Sequence, residues 1–145
     1  MDCVVGDTLD YVIFLTRHVK KGNIPKAILT VLMELGFQTD YDGFGYLRKA
    51  IFLKSNDSDL RVNAIYREVG RISEQKRGIR QVENAIHNAI DAAWVVRKRE
   101  KWHHFSSAGR NWGDSKPANG VFISTMACVM ELWCDCEREV SYAGK

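Results

Sequence analysis

Between Arg80 and Asn88 the chain carries six side chains able to hydrogen-bond the edges of bases: Arg80, Gln81, Glu83, Asn84, His87 and Asn88. Arginine can bond guanine through two N–H groups, asparagine and glutamine match adenine, and glutamate can accept from the cytosine amino group. Such contacts can be made together only if the side chains leave one face of one rigid element. At 100° per residue they do. These six and Asp91 lie on one arc, while Ile79, Val82, Ala85, Ile86, Ala89, Ile90 and Ala93 fill the opposite one. The pattern predicts an amphipathic helix over Arg80 to Trp94.

Any surface helix presents a polar outer face, so the surrounding charge is the more informative signal. Arg61 to Lys101 holds ten basic and five acidic residues, a net of +5, whereas the rest of the chain has eleven and thirteen, a net of −2. A basic stretch in an otherwise slightly acidic chain is the footprint of a polyanion-binding surface. Lys76 and Arg77 precede the helix, Arg97, Lys98, Arg99 and Lys101 follow it, and Lys116 lies further on. These cations are expected to hold phosphates on either side of the bases.

The elements that must position these groups read as helices. The 145 residues, 46% hydrophobic and 27% charged, suit one domain with a real core. Ile24, Ala27, Ile28, Val31, Leu32 and Leu35 share a face, with Pro25 suited to the first turn and Gly36 to the exit. Tyr46 to Leu53 makes a second face after a turn expected at Gly43 to Gly45, and Val62 to Ile72 a third. A short polar segment, Ser73 to Gly78, joins the third helix to the fourth, Arg80 to Trp94. That is the layout of a helix-turn-helix, with a supporting helix, a tight turn containing Gly, and a second helix for the major groove. After an irregular stretch from Lys101 to Gly113, Lys116-Pro117 introduces a last helix with Phe122, Met126, Val129, Met130 and Trp133 on one side. No period-two alternation and no Asn-Gly or Asp-Gly hairpin is present, so the fold is expected to be all-α, a compact domain of about six helices.

The remaining reactive residues have structural readings. Cys3, Cys128, Cys134 and Cys136 are few and unevenly placed, and thiols are expected. Cys134-Asp135-Cys136 and His103-His104 lack the paired spacing of structural zinc, so neither a metal nor a cofactor is expected. Trp94, Trp102, Trp112 and Trp133 suit core packing. No Ser-His-Asp order, Walker loop or dinucleotide fingerprint occurs, which argues against an enzyme and a small-molecule substrate. No apolar run approaches the roughly 20 residues of a membrane span. The N-terminus also lacks the pattern of a secretory signal, and a cytoplasmic location is expected.

Three blocks resemble a known family. The stretch from Leu32 to Ile51, with Gly45-Tyr46-Leu47-Arg48-Lys49-Ala50-Ile51, is similar to the opening of the C-terminal DNA-binding domain of the stage-zero sporulation response regulator A family, which has Gly-Tyr-Leu-Tyr-Leu-Arg-Glu-Ala-Ile. Val82 to Trp94 resembles the family pattern Val-Glu-Arg-Ala-Ile-Arg-His-Ala-Ile-Glu-Val-Ala-Trp. Lys116 to Phe122 resembles Lys-Pro-Thr-Asn-Ser-Glu-Phe. The resemblance runs from about Ile24 to Trp133 with its blocks in family order. It implies an all-helical domain that binds double-stranded DNA through its fourth helix and regulates transcription at the onset of sporulation, as a homodimer on DNA or together with RNA polymerase.

The same alignment shows departures. Two family arginines are Asn84 and His87 here, and a family histidine is Asn88. The turn from Ser73 to Gly78 is about two residues longer and lacks the family's capping residues. Only 23 residues precede the match, too few for the family's receiver domain. The expected division is an N-terminal extension over 1–23, an effector-like domain over 24–138 and a tail over 139–145. The altered helix face leaves a second reading open. In it the fold serves protein interaction, pairing with a full regulator or polymerase through Asp10 to Lys21 and the last helix without sequence-specific DNA binding.

Overall fold

The computed structural model describes residues 8–20, 22–107 and 109–143, with side chains within 11–135. Its elements are α1 (Thr8–His18), α2 (Ile24–Glu34), α3 (Asp42–Asn56), α4 (Val62–Ile72), α5 (Ile79–Val95), α6 (Arg99–Trp102), β1 (Ser106–Ser107), β2 (Arg110–Asn111) and α7 (Asn119–Ala143). The all-helical expectation holds, with one addition. β1 and β2 form an antiparallel hairpin, Ser106 opposite Asn111, two residues a side and so too short to show alternation in the sequence.

α2 begins as expected. Asn23 accepts from the Lys26 N–H through Oδ1, and Pro25 occupies the first turn, where no N–H is needed. It ends at Gly36, whose φ of +92° suits a residue without Cβ. The Phe37 N–H bonds the Leu32 carbonyl and the Gly36 N–H bonds that of Met33, the paired closure that satisfies orphan helix carbonyls. Phe37 and Leu32 are both buried beneath it.

The expected turn at Gly43 to Gly45 is instead the first turn of α3, which starts at Asp42. The physical reason is a close crossing. A Cβ on Gly43 would lie 1.9 Å from the Ala85 carbonyl oxygen, so glycine serves helix-to-helix approach here and not a bend.

α3 and α7 form the spine, each packed against α2 and α5, and α3 also against α4. Leu47, Ala50 and Ile51 of α3 meet Phe122, Met126, Val129, Met130 and Trp133 of α7 in one core. Helix α1 and the residue Val19 after it add to that core. Tyr11, Val12, Leu15 and Val19 are buried, and α1 packs on α7 and α2. Within the segment Asp10 to Lys21 named for a partner, the described apolar residues Tyr11, Val12, Leu15 and Val19 are thereby used within the chain, while Ile13, Arg17 and His18 face outward.

The irregular segment is pinned by aromatic groups. Trp112 stacks on Phe122 at 5.2 Å with 18° between planes, and Phe105 sits 5.3 Å from Trp112. Trp102 Nε1 donates to the Leu35 carbonyl at 3.0 Å, and Trp112 Nε1 to Ser107 Oγ at 2.8 Å. Trp102, Trp112 and Trp133 are thus core residues, whereas Trp94 is only half-buried. One cysteine departs from expectation. Cys128 is buried and disulfide-bonded, and Cys134 is a thiol. Cys3 and the Cys136 side chain lie outside the described residues.

No helix among the described residues is long and apolar enough to cross a membrane.

Candidate nucleic-acid interface

The pair α4 and α5 is set by its turn. α4 buries Ile65, Tyr66, Val69 and Gly70, then stops at Ser73. The buried Ser73 Oγ lies 2.9 Å from the carbonyl oxygens of both Gly70 and Gln75, and it can donate to one at a time. The Arg77 N–H closes the turn on the Gly70 carbonyl at 3.2 Å. A Cβ on Gly70 would meet the Arg77 carbonyl oxygen at 2.1 Å, so this closure requires glycine.

The longer turn still supplies a cap, from within α5. Gln81 Oε1 accepts from the Gly78 N–H at 2.9 Å, the reciprocal half of a capping box. Gln81 therefore holds the start of the helix with the oxygen that reading a base would use, leaving its amide N–H groups available. α5 spans Ile79 to Val95, one residue beyond the expected helix at each end. Val82, Ile86, Ala89, Ile90 and Ala93 are buried against α3 and α4. Arg80, Gln81, Glu83, Asn84, His87, Asn88 and Asp91 are all exposed. The two arcs separate as the periodicity predicts.

One flank of this face is a groove of about 640 Å³. Glu83, Asn84 and His87 line one wall, Val62 and Tyr66 of α4 contribute the floor, and Lys116 to Gly120 form the far wall. Asn119 Nδ2 donates to the Glu83 carbonyl at 3.0 Å and fixes the start of α7 against α5. Burial pushes the Tyr66 phenol above its ordinary range, and the Glu83 charge adds to this, while a bond with Asn119 opposes it. Tyr66 and Asn119 were not legible as site residues. Both look like packing residues in the sequence, although Asn119 lies in the block shared with the resembling family.

The cations divide into two groups. At the start of α5, Lys76 and Arg80 are exposed with no acidic partner among the described residues, and Arg77 Nη2 donates to Gln75 Oε1 at 2.6 Å. Arg80 and Val95 are about 22 Å apart along the helix axis. The cations beyond Val95 are mostly engaged in the fold. The Arg97 guanidinium lies 3.5 Å over the Trp94 ring and donates to the Gly113 carbonyl at 3.0 and 2.8 Å and to that of Trp94 at 2.8 Å. Arg97 therefore staples the end of α5 to the loop before α7. Arg99 pairs with Asp114, Lys101 with Glu34 at 2.6 Å and Lys116 with Asp91 at 2.6 Å. Only Lys98 in this set is exposed with no acidic partner among the described residues.

The Lys116–Asp91 pair crosses from the start of α7 to the outer face of α5. The bond from Lys116 holds the Asp91 carboxyl below its usual range, aided by the charges of Lys116 and His87. On α4, Arg71 does the same to Glu68 through a two-pronged contact of 2.9 and 2.6 Å. Both carboxylates are exposed, so neither pair contributes much to stability. Among the described residues no three His, Cys, Asp or Glu side chains converge as metal ligands do.

The arrangement offers a helix with a polar outer arc, a rigid seat on two neighbours, unpaired cations at its leading end and a groove along one side. Residues 28–130 match the family model described as sporulation initiation factor Spo0A C terminal.

Proposed function

The chain belongs to the Spo0A C-terminal family, and on that premise we propose that α5 enters the DNA major groove and reads sequence with its leading half. The family is one of DNA-binding effector domains that regulate transcription in sporulation, and this chain is a regulatory domain of that type. In the proposed mode Arg80, Glu83, Asn84, His87 and Asn88 face base edges, with the Gln81 amide as an additional donor. Lys76, Arg77 and Lys98 neutralise phosphates at the two ends of the helix, and Lys116 does so at the near side once released from Asp91.

One observation carries this reading. The only sizeable polar side chains on α5 lie on its exposed arc, while its opposite arc is buried, with Gly43 of α3 against the Ala85 carbonyl and Gly70 of α4 against the Arg77 carbonyl of the turn that leads into it. A helix held this rigidly can present base-reading groups in fixed register, at little cost in ordering on binding.

Selecting bound sequences from a random double-stranded DNA pool tests the proposal. Enrichment of a defined site, with affinity that falls as salt rises from 50 to 200 mM (on the order of ten-fold or more for several phosphate contacts), is expected. Recovery of no enriched site would exclude sequence reading by α5.

A further inference from the structure

A second concave surface lies on the side of α3 facing away from α5. The helix turns Gly43, Leu47 and Ala50 inward, Gly43 against Ala85. Gly45, Arg48, Lys49 and Phe52 follow the opposite face of α3. There they meet Pro25 and Ile28 of α2 and Ile72 at the end of α4 around a groove of about 400 Å³. That volume falls in the range of about 300–1,000 Å³ typical of ligand clefts.

The lining is apolar with a cationic rim. Phe52 and Ile72 are 37% and 44% exposed, unusual for side chains of this size. Gly45 leaves open space, since a Cβ there would meet nothing within 4 Å. Arg48 and Lys49 stand at the edge, and neither has an acidic partner among the described residues. No carboxylate lines the groove. The Arg48 guanidinium lies 5.9 Å from the centroid of the Phe44 ring.

We propose that this groove docks a short amphipathic segment of a partner protein whose apolar side chains are flanked by carboxylates. The apolar floor accepts the side chains of one helical turn, and the two unpaired cations select acidic flanks and repel basic ones. The groove and the reading arc of α5 lie on opposite sides of α3, so a partner seated here leaves the DNA face open. The domain would then hold DNA and protein at once. This inference stands on the groove itself and does not require that α5 reads sequence.

Fluorescence anisotropy with labelled twelve-residue helical peptides, added to the full chain, tests the proposal. One peptide places Leu at i, i+3, i+4 and i+7 with Glu on its flanks, and its counterpart replaces every Glu by Lys. The acidic peptide is expected to bind at least ten-fold more tightly. Lys49→Glu and Ile72→Ser should each weaken it five-fold or more, while thermal melting and affinity for bulk DNA stay as in the parent. Both substituted side chains are exposed, so the variants are expected to fold, and Lys49→Glu changes no apolar contact. Equal binding of the two peptides, or binding indifferent to both substitutions, would overturn the proposal. So would sedimentation showing self-association of the free chain that Ile72→Ser abolishes, because a second copy would then be the occupant.

Discussion

Arg77 turns its carbonyl oxygen to within 2.1 Å of where a Cβ on Gly70 would lie, while its N–H bonds the Gly70 carbonyl. The helix that carries the proposed base-reading groups is thus aimed by contact between two backbones. Gly70→Ala must push the turn away from α4, and overpacking of this kind costs about 1–3 kcal/mol. We expect a lower urea midpoint and weaker DNA binding by the protein that remains folded. Gly45→Ala is the matched control, since its Cβ meets open space on the exterior of α3. It should be neutral or stabilising by up to about 1 kcal/mol through helix propensity.

Arg97 was expected to hold a phosphate, yet its guanidinium caps Trp94 and bonds two carbonyls. Replacing it with alanine removes the stacked cation and leaves partly buried carbonyls without a donor, at roughly 1–3 kcal/mol. The dependence of DNA affinity on salt should be unchanged in Arg97→Ala. For Lys76→Ala the salt slope should fall by about 0.9, the contribution of one phosphate contact, with little change in melting. A salt slope equally reduced in both variants would return Arg97 to the phosphate set.

Asn84 and His87 stand on the exposed arc where the family pattern has arginine, and both line the groove beside Lys116. Installing Asn84→Arg and His87→Arg together supplies two bidentate guanine donors, each worth about 1–3 kcal/mol of discrimination. The double variant should shift the selected DNA site toward guanine at two positions. An unchanged consensus would show that these positions do not face bases.

Tyr11 and Tyr66 are expected to contribute to the pH dependence of stability in alkali. Burial raises both phenols above the ordinary value of 10.0, with the Glu34 charge contributing at Tyr11 and Glu83 at Tyr66. The folded state therefore favours the neutral phenols. The stability this represents is complete below about pH 10 and is lost as pH rises through the folded-state values. The Tyr11 hydroxyl is buried with no hydrogen-bond partner among the described residues. Tyr11→Phe should raise stability at neutral pH by about 1 kcal/mol and flatten the alkaline limb of a stability–pH profile. A loss of stability at pH 7 would mean the hydroxyl is satisfied in solution.

The sequence determined the helical elements and the two arcs of α5, because side-chain periodicity is a local property that 3.6 residues per turn convert directly into faces. Val82, Ile86, Ala89 and Ile90 are buried and Arg80, Asn84, His87 and Asn88 exposed for that reason alone. Gly36 as a helix exit and Pro25 in a first turn were legible on the same local grounds.

What only the tertiary structure decided is which polar groups remain free. Arg97, Arg99, Lys101 and Lys116 look alike in a charge count, but each meets a partner from a distant segment, Gly113, Asp114, Glu34 or Asp91. Gly43 resembles a turn glycine, and Gly70 an unremarked residue inside a helix, until the Ala85 and Arg77 carbonyls arrive against them. The polar arc of α5 thus came from local repetition. The cations left without a partner beside it were decided by contacts between residues far apart in the chain, which no periodicity records.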